Sequence, residues 1–155
     1  MKVLPYLQKI DWSDPENKRI ADVLIADAKE YMRRVVDHIY KGNEIRADSF
    51  MDASEKKDEI RRLDRKRTAA HDNMLKSFAS FLDLLRGVEG FDENDYRLDN
   101  RAQIADFVAG TAFELVGMEV EPSGDGSVRD ELADKLHKGE ITFEQILKGV
   151  EITCA

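Results

Sequence analysis

Two long stretches of sequence decide the fold. They are residues 15–41, PENKRIADVLIADAKEYMRRVVDHIYK, and residues 44–86, EIRADSFMDASEKKDEIRRLDRKRTAAHDNMLKSFASFLDLLR. Along the first, apolar side chains recur every three or four positions, as on one face of an α-helix: Ile20, Leu24, Ala28, Tyr31, Val35 and Ile39. We therefore predict an all-α fold, a helical bundle built on a long antiparallel helix pair.

The ends of these helices are predicted from turn and capping residues. Ser13, with Glu16 three residues later, predicts the start of the first helix, and Gly42 predicts its end. A helix over 44–86 would be about 64 Å long, against about 40 Å for the first. Because that length exceeds a compact domain of this size, we expect an irregular stretch near residues 43–49.

The rest of the chain predicts shorter helices. Residues 3–12 form an apolar arm that we expect to cross the bundle, and Asn100 and Gln103 predict the start of a third helix. The stretch 121–127, EPSGDGS, has the composition of a linker. Two short helices follow, capped by Ser127 and Thr142 and separated by Gly139. We assign residues 1–120 to the bundle, 121–127 to the linker and 128–155 to a helical hairpin packed on the bundle as one unit.

Residues 132–148, LADKLHKGEITFEQILK, resemble the short C-terminal helical hairpin of the bacterial proteins called SHOCT. The resemblance is carried by Leu136, Gly139, Ile141 and Thr142, and Gln145 and Ile146 replace the usual Glu-Phe pair. It implies an appended oligomerisation or interaction module.

Composition limits the classes of partner. The chain of 155 residues has a net charge of −8, which repels nucleic acid and anionic membranes. No apolar run is long enough for a signal peptide or a membrane span. The single cysteine, Cys154, excludes a disulfide framework and suits a reducing compartment. We expect a cytoplasmic protein.

No stretch of the sequence carries a catalytic signature. The three histidines lie on different predicted helices, and no nucleophile motif or phosphate-binding loop is present. Glu131 and Asp134 are similar to one Glu-x-x-Asp pair of MazG-type nucleotide pyrophosphohydrolases, whose other pair would be Glu55 and Asp58. Magnesium needs several oxygens converging on one octahedral site. We expect no catalytic residue, no metal site and no cofactor, with a magnesium-dependent hydrolase as an alternative.

Two surfaces are candidates for binding a partner. One is the basic cluster of Arg61, Arg62, Arg65, Lys66 and Arg67: residues 61–67 carry a net charge of +4, and the rest of the chain −12. The other is part of the first helix's stripe, Tyr31, Val35 and Ile39. We interpret the basic cluster as a solvated helix face paired with acidic residues of the first helix. The alternative is a binding site for an acidic partner or for nucleic acid, so a nucleic-acid-binding bundle is a second alternative function.

The first helix has a wider apolar stripe than the charged half of the second can cover, which favours a second copy or a protein partner. The function that we predict is a non-catalytic, self-associating interaction or regulatory protein of bacterial type. The sequence also leaves open the possibility that an apolar ligand is held between the helices.

Overall fold

The computed structural model describes residues 2–121 and 123–155. Within these ranges the chain is 73% helical and contains no strand, which confirms the predicted all-α bundle. The helices are α1 (Leu4–Leu7), α2 (Pro15–Ala47), α3 (Ala53–Arg86), α4 (Arg101–Leu115), α5 (Ser127–Lys138) and α6 (Phe143–Thr153), with one 3-10 turn at Glu93–Asp95. No helix in the described ranges is both long enough and apolar enough to cross a membrane.

Helices α2 and α3 pair antiparallel along their whole length. The rings of Tyr31 and His71 are 5.1 Å apart, and nearer the loop Lys56 Nζ donates to the carbonyl oxygen of Arg46 at 2.9 Å. The predicted break near 43–49 lies instead at residues 48–52. Gly42 was wrongly predicted to end the first helix. A glycine inside a helix is unfavourable by only about 1 kcal/mol, which packing against α3 offsets.

Two of the predicted N-caps are wrong by one residue. Asp14, rather than Ser13, caps α2 by accepting a hydrogen bond from the Glu16 N–H. Gly126, rather than Ser127, occupies the N-cap position of α5. The capping residues predicted for the other two short helices are confirmed: Asn100 caps α4, and Thr142 forms a reciprocal capping box with Gln145 at α6.

The C-terminal helices pack on the long pair. Helix α4 runs alongside the second half of α3, with the rings of Phe78 and Phe107 5.5 Å apart. Helix α5 lies against α4 and runs parallel to α2, since Tyr31 contacts Arg129 and Tyr40 contacts Asp134. Pro122, in the predicted linker, lies outside the described residues.

Helix α6 crosses the C-terminal end of α4 at close range. A Cβ atom built on Gly149 would lie 2.2 Å from the Leu115 carbonyl oxygen. A glycine is therefore required at this crossing, and α6 is held over the side of the bundle formed by α2 and α4.

The N-terminal arm is part of the core. Val3, Leu7 and Ile10 are buried, and the Val3 N–H donates to the Glu114 carboxylate on α4. Trp12 closes the arm by donating from Nε1 to the Leu7 carbonyl oxygen at 2.8 Å. The arm is therefore held against α4 and contributes three buried side chains to the core.

Candidate functional site

The stripe residues of α2 lie at different depths. Tyr31 and Val35 are only 2% and 1% exposed, because α5 packs over this part of α2. Neither side chain is accessible to a partner while the fold is intact. Ile39, one turn further on, is half-buried at the edge of the core.

The basic cluster lies on the outer part of α3. Arg61, Arg62, Arg65 and Lys66 are exposed, whereas Arg67 is half-buried and pairs with Asp64 at 2.8 Å. Arg62 contacts Glu59 at 3.6 Å. Among the described residues, Arg61, Arg65 and Lys66 form no ion pair within 4.0 Å. Three cations of the cluster are thus available to an external anion.

Residues 38–67, here called the distal hairpin, extend beyond the start of α4. Arg101, the first residue of α4, contacts α3 at His71 and Asp72. Helix α5 reaches the base of the distal hairpin, where Tyr40 donates to Asp134 and stacks on His137 at 3.7 Å. Beyond Tyr40 the hairpin buries its apolar side chains mainly between α2 and α3. Ile45, Ile60 and Leu63 are half-buried and lie outside the main core, and Phe50 in the connecting loop is 97% exposed.

The two candidate carboxylate pairs are not brought together. Asp134 accepts a hydrogen bond from the Tyr40 hydroxyl at 2.7 Å and pairs with Lys138 at 3.0 Å, and the Tyr40 bond holds the pKa of Asp134 below its usual range. Glu131 points to solvent. Within residues 2–121 and 123–155, no three His, Cys, Asp or Glu side chains are grouped as a metal ion would require. Asp134 instead contributes to the contact between α5 and α2.

Three polar side chains of the described residues are buried: Asp106, His71 and Ser77, whose hydroxyl donates to the Met74 carbonyl oxygen of its own helix at 3.1 Å. Asp106 on α4 is 1% exposed and accepts hydrogen bonds from the N–H groups of Gly126 and Arg129 at 2.9 and 3.0 Å. His71 is 4% exposed and its Nε2 lies 3.2 Å from the Arg101 carbonyl oxygen, whereas its Nδ1 has no partner in the structure. Burial lowers the pKa of His71, so the neutral ring is favoured.

An apolar cavity of about 110 Å³ lies inside the bundle, between α6 and the paired helices. Its wall includes small side chains at facing positions of α2 and α4, and aromatic rings from several elements. The lining contains Ala21, Ala28, Ala109, Ala112, Trp12, Phe78, Phe81, Phe107 and Phe143. An apolar ligand between the helices was left open on sequence grounds, but neither this cavity nor its lining residues were predicted. The repeated alanines on α2 and α4 are the signal that could have indicated it, because small residues on facing helices leave space between them.

The cavity reaches solvent beside α6. Trp12, Val150 and Cys154 line the cavity and are half-buried. Burial raises the pKa of the Cys154 thiol, so at neutral pH this group is uncharged and adds no ionic character to the wall. The hydroxyl of Thr111 donates to the Phe107 carbonyl oxygen at 2.9 Å, and the hydroxyl of Thr153 also lines the cavity. The lining is therefore almost wholly apolar.

Comparison of the chain with protein-family models, with curated proteins and with solved structures found no match.

Proposed function

We propose that this protein is a non-catalytic helical interaction protein that associates with a second copy of itself through the distal hairpin. The observation that carries the proposal is the exposure of Phe50 at the tip of a hairpin whose apolar side chains beyond Tyr40, among them Ile60, are covered mainly by α2 and α3. Half-buried isoleucines and leucines on a two-helix projection become stably buried when further helices pack against them. A symmetric dimer is the commonest way to provide those helices.

Charge favours a second copy of this chain as the partner. Residues 61–67 carry a net charge of +4 and the remainder of the chain −12, and the distal hairpin also exposes acidic residues, among them Glu44, Glu55 and Asp58, that can pair with the basic cluster of another copy. The unpaired side chains of Arg61, Arg65 and Lys66 would lie against acidic residues of the other copy. The resemblance of residues 132–148 to an oligomerisation hairpin adds support for an interaction role. We place this association in a reducing cytoplasm, where the Cys154 thiol stays free.

The test is sedimentation of the full chain between about 1 and 50 µM. We expect a dimer, and we expect Phe50→Ser to weaken dimerisation by at least about tenfold, because burying one phenylalanine contributes about 1.5–3 kcal/mol. Ile152→Ser is the matched control. Ile152 is also an exposed apolar residue, at 69%, but it lies on α6, and we expect its replacement to leave the dissociation constant unchanged.

The role of charge is tested separately. Arg61→Glu with Arg65→Glu should weaken the dimer further, and raising the salt concentration should weaken the unmodified dimer. A chain that remains monomeric at 50 µM would overturn the proposal. Equal weakening by Phe50→Ser and Ile152→Ser would also contradict it, since the distal hairpin would then have no special part in association.

A further inference from the structure

We infer that the cavity beneath α6 is a binding site for a small, neutral, apolar molecule of about the size of a benzene ring. This inference is independent of the proposed dimer, because the cavity lies inside one chain. Protein interiors are close-packed, and voids larger than a water molecule are few. A cavity of about 110 Å³ in a small helical bundle is large by that standard.

The chemistry of the wall determines the class of ligand. No ionisable side chain other than the Cys154 thiol lines the cavity, and that thiol is neutral at physiological pH. The Thr111 hydroxyl donates to its own helix, and the Thr153 hydroxyl also lines the cavity. A charged ligand would lose its hydration there without gaining an ionic partner, whereas an apolar ligand loses nothing by leaving water.

The size of the cavity limits the ligand further. An engineered apolar cavity of about 150 Å³ lined by Leu, Ile and Phe admits benzene or xenon. The present cavity is somewhat smaller, and its half-buried lining residues on α6 place it within reach of solvent. A single ring or a short hydrocarbon segment therefore fits, and a long acyl chain would require α6 to move.

Helix α6 is the natural cover of the site. Phe143, Ile146, Val150 and Cys154 come from this one helix or its C-terminal end and form one wall of the cavity. Gly149, between them, lets the helix approach the end of α4 closely. The position of α6, and with it the shape of the site, depends on that close approach.

Two residues of the chain can report on ligand binding in the cavity. Trp12 is the single tryptophan and Cys154 the single cysteine, and both line the cavity. Benzene is the probe, and benzoate is the matched control ligand, because it has the same ring with one carboxylate and the described residues of the lining include no cationic side chain. We expect benzene to change Trp12 fluorescence saturably, to slow the reaction of Cys154 with a thiol reagent, and to raise the melting temperature by about 5–10 °C at a hundred times its dissociation constant. Benzoate should bind at least about tenfold more weakly, because its charge would lose hydration without gaining an ionic partner.

Two variants fill the cavity from opposite sides. Ala112→Leu on α4 and Ala28→Leu on α2 should each weaken benzene binding by at least about tenfold, and two sites are used in case one variant fails to fold. Ala79→Leu, at an exposed position of α3 away from the cavity, is the control and should bind as the unmodified chain does. No saturable response to benzene in the unmodified chain would overturn the inference. Equal binding of benzoate, or unchanged binding by folded cavity-filled variants, would overturn it as well.

Discussion

The buried carboxylate of Asp106 fixes α5 to α4, and its replacement tests how the C-terminal part of the chain is held. Its Oδ2 accepts the Gly126 N–H at 2.9 Å and its Oδ1 accepts the Arg129 N–H at 3.0 Å. These N–H groups belong to the first turn of α5, where no carbonyl of the helix itself is available. Asp106 therefore acts as an N-cap supplied by another helix.

The loss of stability expected on replacing Asp106 can be worked out from these two hydrogen bonds. Asp106→Ala leaves two N–H groups without their acceptor, and each buried group left unpaired is unfavourable by about 1–3 kcal/mol. The Gly126 bond is fully buried and the Arg129 bond partly so. We therefore expect the free energy of unfolding to fall by about 2–5 kcal/mol. Asp106→Asn keeps one accepting oxygen but turns an amide NH₂ towards the other donor, so we expect about 2–3 kcal/mol.

Urea unfolding measures these changes: the midpoint urea concentration should fall, and the dependence of the unfolding free energy on urea concentration should stay the same. Asn100→Ala is the control, because Asn100 caps α4 from an exposed position by accepting from the Gln103 N–H at 3.0 Å. Its loss should lower the free energy of unfolding by about 1 kcal/mol. Amide exchange should show α5 losing protection in the Asp106 variants. If Asp106→Asn were no more destabilising than Asn100→Ala, the assignment of Asp106 as a buried cap would be wrong.

Further predictions concern two glycines and one histidine. Gly42→Ala should raise the free energy of unfolding by about 0.5–1 kcal/mol, since its new Cβ meets only the flexible Arg46 guanidinium, at 3.2 Å. Gly149→Ala should lower the free energy of unfolding by at least about 1 kcal/mol, because the new Cβ forces α6 away from the Leu115 backbone. Thermal unfolding of the two variants should therefore show changes of opposite sign. His71 has a folded-state pKa below its usual 6.5, so the stability that its neutral form contributes is complete above pH 6.5 and is lost as the pH falls from there towards the folded-state value. His71→Phe should flatten this part of the stability profile, and an unchanged slope between pH 7.5 and 5.5 would contradict the assignment.

Features set by neighbouring residues could be predicted from the sequence. Thr142 and Gln145 form the expected capping box, and Gly139 ends α5 with a φ of 73°. Such local signals do not depend on how the chain folds back. Gly42 shows their limit, because pairing with α3 carries α2 five residues past a glycine that ends many isolated helices.

Features set by distant residues could not be predicted. Asp106 lies twenty residues before Gly126, and nothing in either stretch shows that they meet. The burial of Tyr31 and Val35 depends in the same way on where α5 packs. The basic cluster needed no such information, since an amphipathic helix with few apolar residues must expose most of its charges.

The proposed dimer surface and the proposed ligand site can be separated because they lie at opposite ends of α2. Phe50 follows the C-terminal end of this helix, whereas Ala21 and Ala28 line the cavity near its beginning. About twenty helical residues at 1.5 Å each place them roughly 30 Å apart. Substitutions that far apart, with no shared partners, act additively. Phe50→Ser should therefore leave benzene binding unchanged and Ala28→Leu should leave dimerisation unchanged, so that the failure of one proposal leaves the other standing.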